Sequence, residues 1–475
     1  MLLRRSPHSY GFVIVLMACS GTILQCMLAM CENISSKGEE YTASQPKSVV
    51  NTTKGSVKAL VMKSALGKPV RVFYGIPYAE PPVGKLRFSR STPSRPWSGT
   101  LDATVKPNSC VQVVSSAYGD FRAVTKWNAN TKMSEDCLKL NIWTPVSKAN
   151  EAAAVLVWIY GGGFYKGTST LDMYDARTLV SKEGVIVVSM NYRVASLGFL
   201  SFANELVPGN AGLYDQLLAL EWIRDNIAAF GGDPNRVTLF GQSSGAASAS
   251  FHLLSPLSRN LFCRVILESG SALSPWALQS NDTARKAAAR LAAAVGCPQS
   301  LDQETLDCLR EKDPSEIVYN ETGCGEVVFV TFVPVADGAF LPKSPQALTA
   351  ENRFNGNVRI LLGSNLYEGT YYLQNFFMFP LTDQFPHIPQ EQFATALRSL
   401  DPSKGMPPFD EVLKMYTGGV VPPTSKEKLK ALDLIVDDYH FSCPAEPQQS
   451  RRSDVCPPNL ATSHGPFRKT PSTGR

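Results

Sequence analysis

Short apolar runs alternate with stretches of helical spacing through the middle of the chain. Ala152–Tyr160 (AAAVLVWIY), Val185–Tyr192 (VIVVSMNY), Arg236–Phe240, Arg264–Leu267 and Arg359–Leu362 (RILL) are each of strand length. The first is continuously apolar and the second nearly so, the pattern of strands buried on both faces. Before the third run, Leu213–Ala229 keeps Leu217, Leu220, Ile223 and Ile227 on one side of a helix. Strands alternating with helices predict an α/β class with a mostly parallel central sheet and helices on both faces. Upstream, Val57–Tyr74 alternates loosely and predicts a hairpin, and Glu135–Pro145 an alternating strand. Proline and glycine are so dense in Gly75–Gly84 that it reads as an ordered loop, neither helix nor central strand. No internal repeat is visible.

The ends differ in character. Arg4 and Arg5 precede an apolar run, Gly11–Met30, with small residues at Ala18/Ser20 and Ala29/Cys31, so 1–31 reads as a signal peptide. Residues 32–54 are polar and expected to be mobile. Residues 445–475, rich in Pro, Ser, Arg and Thr without periodicity, read as a disordered tail. Nothing after the signal is apolar enough to span a bilayer. Asn33, Asn51, Asn281 and Asn320 each open an Asn-x-Ser/Thr site, which behind a signal fits a secreted, extracellular glycoprotein. The 11 cysteines then read as disulfide material; no spacing suggests a metal, and no cofactor motif occurs. Cys110 and Cys137 bracket one irregular loop and Cys297 and Cys308 a second; Cys263, Cys324, Cys443 and Cys456 have no obvious partner. Seven of the 46 basic residues and one of the 41 acids lie at 4–5 and 451–475, leaving 39 basic and 40 acidic between 6 and 450. That balance implies no nucleic-acid partner.

The chemistry centres on Phe240-Gly241-Gln242-Ser243-Ser244-Gly245-Ala246-Ala247. A β-rich run precedes this G-x-S-x-G and a helix-forming run follows, the context of a nucleophile elbow. Gly241 and Gly245 are needed because a Cβ would clash where strand and helix approach. Gly161-Gly162-Gly163, after a core strand, offers backbone N–H groups to an oxyanion, and Glu368 follows the RILL run at the end where such sheets place functional groups.

Over Val49–Pro444 the chain resembles the type-B carboxylesterases and cholinesterases, most closely the acetylcholinesterase group. Phe230-Gly231-Gly232-Asp233 through Gly245 matches the serine signature of that family, and Glu135–Pro145 its second signature. The resemblance implies an α/β-hydrolase fold, with Ser243 as nucleophile and Glu368 as triad acid. It implies Gly162, Gly163 and Ser244 as oxyanion donors, and Cys110–Cys137 and Cys297–Cys308 as disulfides. It places Trp127 where a tryptophan stacks on choline. Tyr160, Tyr165, Tyr174, Trp276 and Tyr371 match gorge or acyl-pocket aromatics, and Val328 and Val330 fall at acyl-pocket phenylalanines. The implied partner is a small-molecule ester, and a homo-oligomer is open.

Two departures stand out. Gln242 replaces the glutamate usual before the nucleophile, removing a charge that would favour a cation. The catalytic histidine of the family, in a His-Gly context with an acid soon after, also has no match among His8, His252, His387, His440 and His464. His464 has a following glycine and nothing else of that context. The chain resembles a cholinesterase whose last segment has been replaced, which predicts a sheet without its last strands and an exposed apolar edge. Two functions follow: a secreted serine ester hydrolase, or a catalytically impaired binding or scavenging protein.

Overall fold

Eleven strands build two sheets in the computed structural model, which describes residues 48–115, 119–146, 151–321, 331–375, 387–400, 409–417 and 424–445. In chain order they are β1 (Val49–Asn51), β2 (Ser56–Lys58), β3 (Leu60–Lys63), β4 (Pro69–Pro77), β5 (Thr100–Asp102) and β6 (Lys139–Pro145). There follow β7 (Ala153–Ile159), β8 (Ile186–Met190), β9 (Gly232–Gln242), β10 (Arg264–Glu268) and β11 (Arg359–Gly363). The main sheet has the order β11-β10-β9-β7-β8-β6-β4-β3, and β1, β2 and β5 form a separate small sheet. The pairs from β8 through β7, β9 and β10 to β11 are parallel. The pairs β3–β4, β4–β6 and β6–β8 are antiparallel. The α/β class expected from the alternation is the observed one.

Four helices matter for the site: α1 (Ala211–Asn226), α2 (Ser244–Leu254), α3 (Gly369–Asn375) and α4 (Ser425–Val436). A π-helical turn, Asp437–Ser442, continues α4. Leu217, Leu220, Ile223 and Ile227 are buried as the periodicity required. Every residue of α2 is buried, because the helix packs against β7, β9 and β10 and carries only small and apolar side chains towards them.

Two expectations are corrected. Within 32–54, Val49–Asn51 is strand, since Val50 packs inward and β1 pairs antiparallel with β2, while 32–47 lie outside the described residues. Gly75-Ile76-Pro77 is not loop but the end of β4. The register slips between Phe73 and Ile76, Gly75 takes φ +72, and its N–H donates to Asn141 Oδ1 at 3.1 Å. A glycine-centred bulge of this kind lets a strand absorb one extra residue, and Pro77 is tolerated as the final residue.

The disulfides Cys110–Cys137 and Cys297–Cys308 are present. Cys443, read as lacking an obvious partner, is disulfide-bonded; its other half lies outside the described residues. Cys263 is a free thiol. Among the described residues β11 borders β10 alone, and Leu361 on it is 36% exposed. No described helix is long and apolar enough to cross a membrane. The expected signal, Asn33, Val328, Val330, His8, His464, Cys324, Cys456 and the tail from 446 fall outside the described residues.

Candidate active site

The site starts where β9 ends. Gly241 pairs with Ile159 of β7 and Leu267 of β10, so β9 emerges between two parallel neighbours. The chain must then reverse into α2 at once. Ser243 takes φ 57, ψ −124, outside the left-handed helical region and strained for a residue with a Cβ. A Cβ on Gly241 would lie 2.7 Å from the Ile159 carbonyl oxygen and 2.5 Å from the Gly245 carbonyl carbon. A Cβ on Gly245 would run into the Ile159 carbonyl, and one on Gly270 into the Ser243 backbone. The three glycines are therefore what lets strand, turn and helix pass one another. Ser243 is held on both sides: its N–H donates to the Glu268 carbonyl at 2.8 Å, and its carbonyl accepts from Ala247 N–H at 2.9 Å.

The glycine strip lies against this turn. A Cβ on Gly161 would come within 3.1 Å of Ser243 Cβ. Gly162 has φ 129 and Gly163 φ 61, conformations open to glycine. The Ser244 N–H belongs to the first turn of α2, whose donors have no intrahelical acceptor. The glycine strip at Gly161 and the first turn of α2 at Ser244 both border Ser243.

Support behind the strip is dense. Tyr160 and Tyr192 stack at 4.4 Å, each hydroxyl donating to the other's carbonyl, at 2.9 and 2.7 Å. Burial raises both phenols well above their ordinary range. Arg193 and Asp215, both buried, form a bidentate pair at 2.8 and 2.7 Å. His252 on α2 is fully enclosed: Nδ1 lies 2.7 Å from Ser258 Oγ and Nε2 3.1 Å from Gln216 Oε1. Burial lowers its pKa to about 3, so it is neutral. The Glu321 carboxyl, also buried, accepts the Ser196 N–H at 2.8 Å, and burial raises its pKa to about 8.

The acid arrives on the far side. Ser269 N–H donates to the Gly363 carbonyl at 2.8 Å, joining the ends of β10 and β11. Asn365 Nδ2 reaches Ser269 Oγ at 3.3 Å. Glu368 Oε1, half-buried on the turn before α3, accepts Asn365 N–H at 2.7 Å and Asn365 Nδ2 at 3.1 Å. One chain of contacts therefore links Ser243 through Glu268–Ser269 and Asn365 to Glu368. Sequence reasoning missed Asn365; its place three residues before the carboxylate, at the close of a strand, was the available signal. Beyond Glu368, Tyr372 on α3 is buried, and burial together with the charges of Tyr371 and Glu368 raises its phenol. Its hydroxyl lies 3.3 Å from His440 Nδ1. His440 sits in the π-helical turn and its carbonyl accepts the Trp276 indole N–H at 3.1 Å.

The expected aromatics divide. Burial raises the Tyr165 phenol, and the nearby Tyr371 side chain partly offsets that rise. Trp127 is 40% exposed on the loop closed by Cys110–Cys137. Trp276 is buried against Phe441 at 6.0 Å. Tyr160 is core, and Tyr174 packs on Trp158 at 5.1 Å, with its pKa raised by burial to about 12. Asn51, Asn281 and Asn320 are exposed. Among the described residues no histidine hydrogen-bonds Ser243: His252 is committed elsewhere, His387 is exposed and His440 meets Tyr372.

The model of the carboxylesterase family matches residues 46–453. Over 410 residues the chain is 42% identical to acetylcholinesterase of Danio rerio, covering 86% of this chain and 64% of that one. It is 41% identical over 405 residues to acetylcholinesterase of Electrophorus electricus, covering 84% and 64%. It is 43% identical over 401 residues to cholinesterase of Mus musculus, covering 84% and 66%. The chain spans just under two thirds of the length of these relatives.

Proposed function

Because the chain belongs to the carboxylesterase family, we propose that it is a secreted serine carboxylic-ester hydrolase working through an acyl-Ser243 intermediate. Ser243 Oγ adds to the ester carbonyl carbon, and the carbonyl electron pair moves onto oxygen. That oxyanion accepts from Gly162, Gly163 and Ser244 N–H. Collapse breaks the bond to the alcohol, which leaves with the proton Ser243 gave up. Water repeats the sequence and releases the acid. Glu368, fixed by Asn365, is the acid that orients a base. The observation that carries this reading is the strained Ser243 (φ 57, ψ −124) with the glycine strip against it. Losing one oxyanion donor is worth roughly 3–4 kcal/mol in such chemistry. The disulfides support an oxidising compartment. Choline esters are the first substrates to try, given what the relatives are called.

A second reading is a catalytically impaired binding or scavenging protein. It is favoured by the lack of a hydrogen bond between Ser243 and any described histidine. Purified protein is assayed with a thiocholine ester and a naphthyl ester. The hydrolase reading expects turnover that Ser243→Ala abolishes. Folded protein with no turnover on either ester sinks it and leaves the binding reading, under which ligands are held without release of product.

A further inference from the structure

The two faces of the main sheet are covered unequally. Side chains alternate between faces along a strand, so register partners share a face. Val157 of β7, Leu239 of β9 and Val265 of β10 form one row, and all three are fully buried. One residue on, the row points the other way. Trp158, Phe240, Ile266 and Leu361 are register partners across β7, β9, β10 and β11, and none of the four is buried. This second face is covered at its far end, where the helix Arg177–Glu183 packs on β4 and β6 over Val72, Trp143 and Val187. Val187 pairs with Leu156, two residues before Trp158, which makes it the same face. Tyr174 lies against Trp158 at 5.1 Å, and beyond it the cover thins: Phe240 and Ile266 are half-buried and Leu361 is 36% exposed. Charge is ordered across this open half. Arg264 and Arg359 pair with each other two residues before the row, and Glu268 stands two residues after it. Arg264, Ile266 and Glu268 thus run along β10 as cation, apolar group and anion. At about 3.3 Å per residue the two charges stand about 13 Å apart on one strand and cannot meet within the chain. Arg264 Nη1 donates to Cys263 Sγ at 3.2 Å. Among the described residues Arg264, Glu268 and Arg359 make no ion pair.

From this pattern we propose that the open half-face, centred on Phe240, Ile266 and Leu361, binds a second copy of this chain. A two-fold interface has to be self-complementary. A two-fold axis lying along the row lays each apolar residue on its own copy. It also sets Arg264 of one protomer opposite Glu268 of the other, twice. An axis along the strands would instead set arginine against arginine, so the charges choose between the two orientations. Stacked sheets lie about 10 Å apart, a gap that side chains of this size span. Removing the apolar row from water supplies attraction, and the ion pairs fix the alignment.

Sedimentation equilibrium of the full chain tests this. Wild type should dimerise with a dissociation constant on the order of micromolar, as small interfaces do. Leu361→Glu puts a charge into the apolar row and should weaken the dimer at least about tenfold. Arg264→Glu and Glu268→Arg, each alone, bring like charges face to face and should weaken it by a similar factor. Mixing these two variants restores both attractive contacts. The mixture should therefore form a heterodimer of near wild-type affinity, which a misfolded variant could not do. The chain carrying both exchanges should likewise dimerise with itself. Wild type that stays monomeric well above micromolar concentration overturns the proposal. So do single variants that dimerise as wild type does, or a mixture that remains monomeric. Self-association that none of these charges affects would belong to edge pairing through β11, and that outcome overturns it as well.

Discussion

The two sides of the candidate site are built differently. On the nucleophile side, Ser243 and the glycine strip rest on buried groups with named partners: Tyr160 with Tyr192, Arg193 with Asp215, His252 between Gln216 and Ser258. On the acid side, β11 is an edge strand among the described residues and the residues around Glu368 are open: Leu366 is 58% exposed, Tyr367 60% and Tyr371 53%. Its polar links include Asn365 to Ser269, Ser364 to Ser442 at 3.2 Å and Thr370 to Asp433 at 3.2 Å. Both sides lie at the ends of parallel strands. What separates them is burial, near complete around the nucleophile and partial around Glu368, so perturbations of equal chemical size should read out unequally.

The largest test is Arg193→Met. It strips the partner from Asp215, whose side chain is fully buried, and an unpaired buried charge costs about 3–5 kcal/mol. Urea unfolding should register that loss across the whole domain, with Ser243 reactivity falling in step. A loss below about 1 kcal/mol would mean the nucleophile side is no more tightly built than the acid side.

Next comes pH, where two buried groups pull in opposite directions. His252 is neutral in the fold with its pKa lowered from 6.5 to about 3, so below 6.5 the unfolded chain binds a proton the fold refuses. Stability therefore drops as pH falls from 6.5 towards 3. Glu321 is raised from 4.5 to about 8, so from 4.5 upward the fold keeps a proton the unfolded chain releases. Stability therefore drops as pH rises from 4.5 towards 8. Each slope approaches about 1.4 kcal/mol per pH unit, and between 4.5 and 6.5 they offset one another. Denaturant unfolding against pH should show this flat interval. His252→Gln should remove the acid-side fall and Glu321→Gln the alkaline one, each leaving the other in place.

How much was legible follows the same division. The elbow is local: Gly241, Ser243 and Gly245 are consecutive enough for sterics to be read from spacing, and the clashes found at Gly241 and Gly245 are the ones expected. Strands β7, β8, β10 and β11 announced themselves as apolar runs, and β9 announced its second half. The bulge at Gly75 was misread because proline and glycine density marks both loops and irregular strands, and only pairing with β6 tells them apart. The acid side was the least legible. Asn365 meets Ser269 across 96 positions and Tyr372 meets His440 across 68, contacts that no local pattern encodes. Among the aromatics named from the family pattern, Tyr160 is fully buried in the core and Tyr174 is partly buried against it.

Gly245→Ala then tests the elbow itself. The new Cβ meets the Ile159 carbonyl, which is backbone in the sheet centre and has no room to yield. Overpacking of this kind costs about 1–3 kcal/mol, and here it should also tilt α2 and displace the Ser244 donor. Loss of Ser243 labelling larger than the loss of stability explains would locate the damage in the turn, whereas a purely proportional loss would make Gly245 a packing residue only.

The smallest effect is expected on the acid side, from Trp276→Phe. The change keeps an aromatic ring against Phe441 but deletes the N–H that donates to the His440 carbonyl at 3.1 Å. A net hydrogen bond is worth about 0.5–1.5 kcal/mol, so global unfolding should move little. Because the turn meets α3 through Tyr372 and His440 while α2 is packed on β7, β9 and β10, the loss should appear locally. Amide exchange across Asp437–Ser442 and along α3 should accelerate severalfold while α2 stays as protected as in wild type. If α2 loosens equally, Trp276 couples the two sides and the contrast between them fails. If neither changes, the π-helical turn is held by the packing of Tyr372, His440 and Phe441 rather than by the polar link, and the acid side is firmer than its exposure suggests.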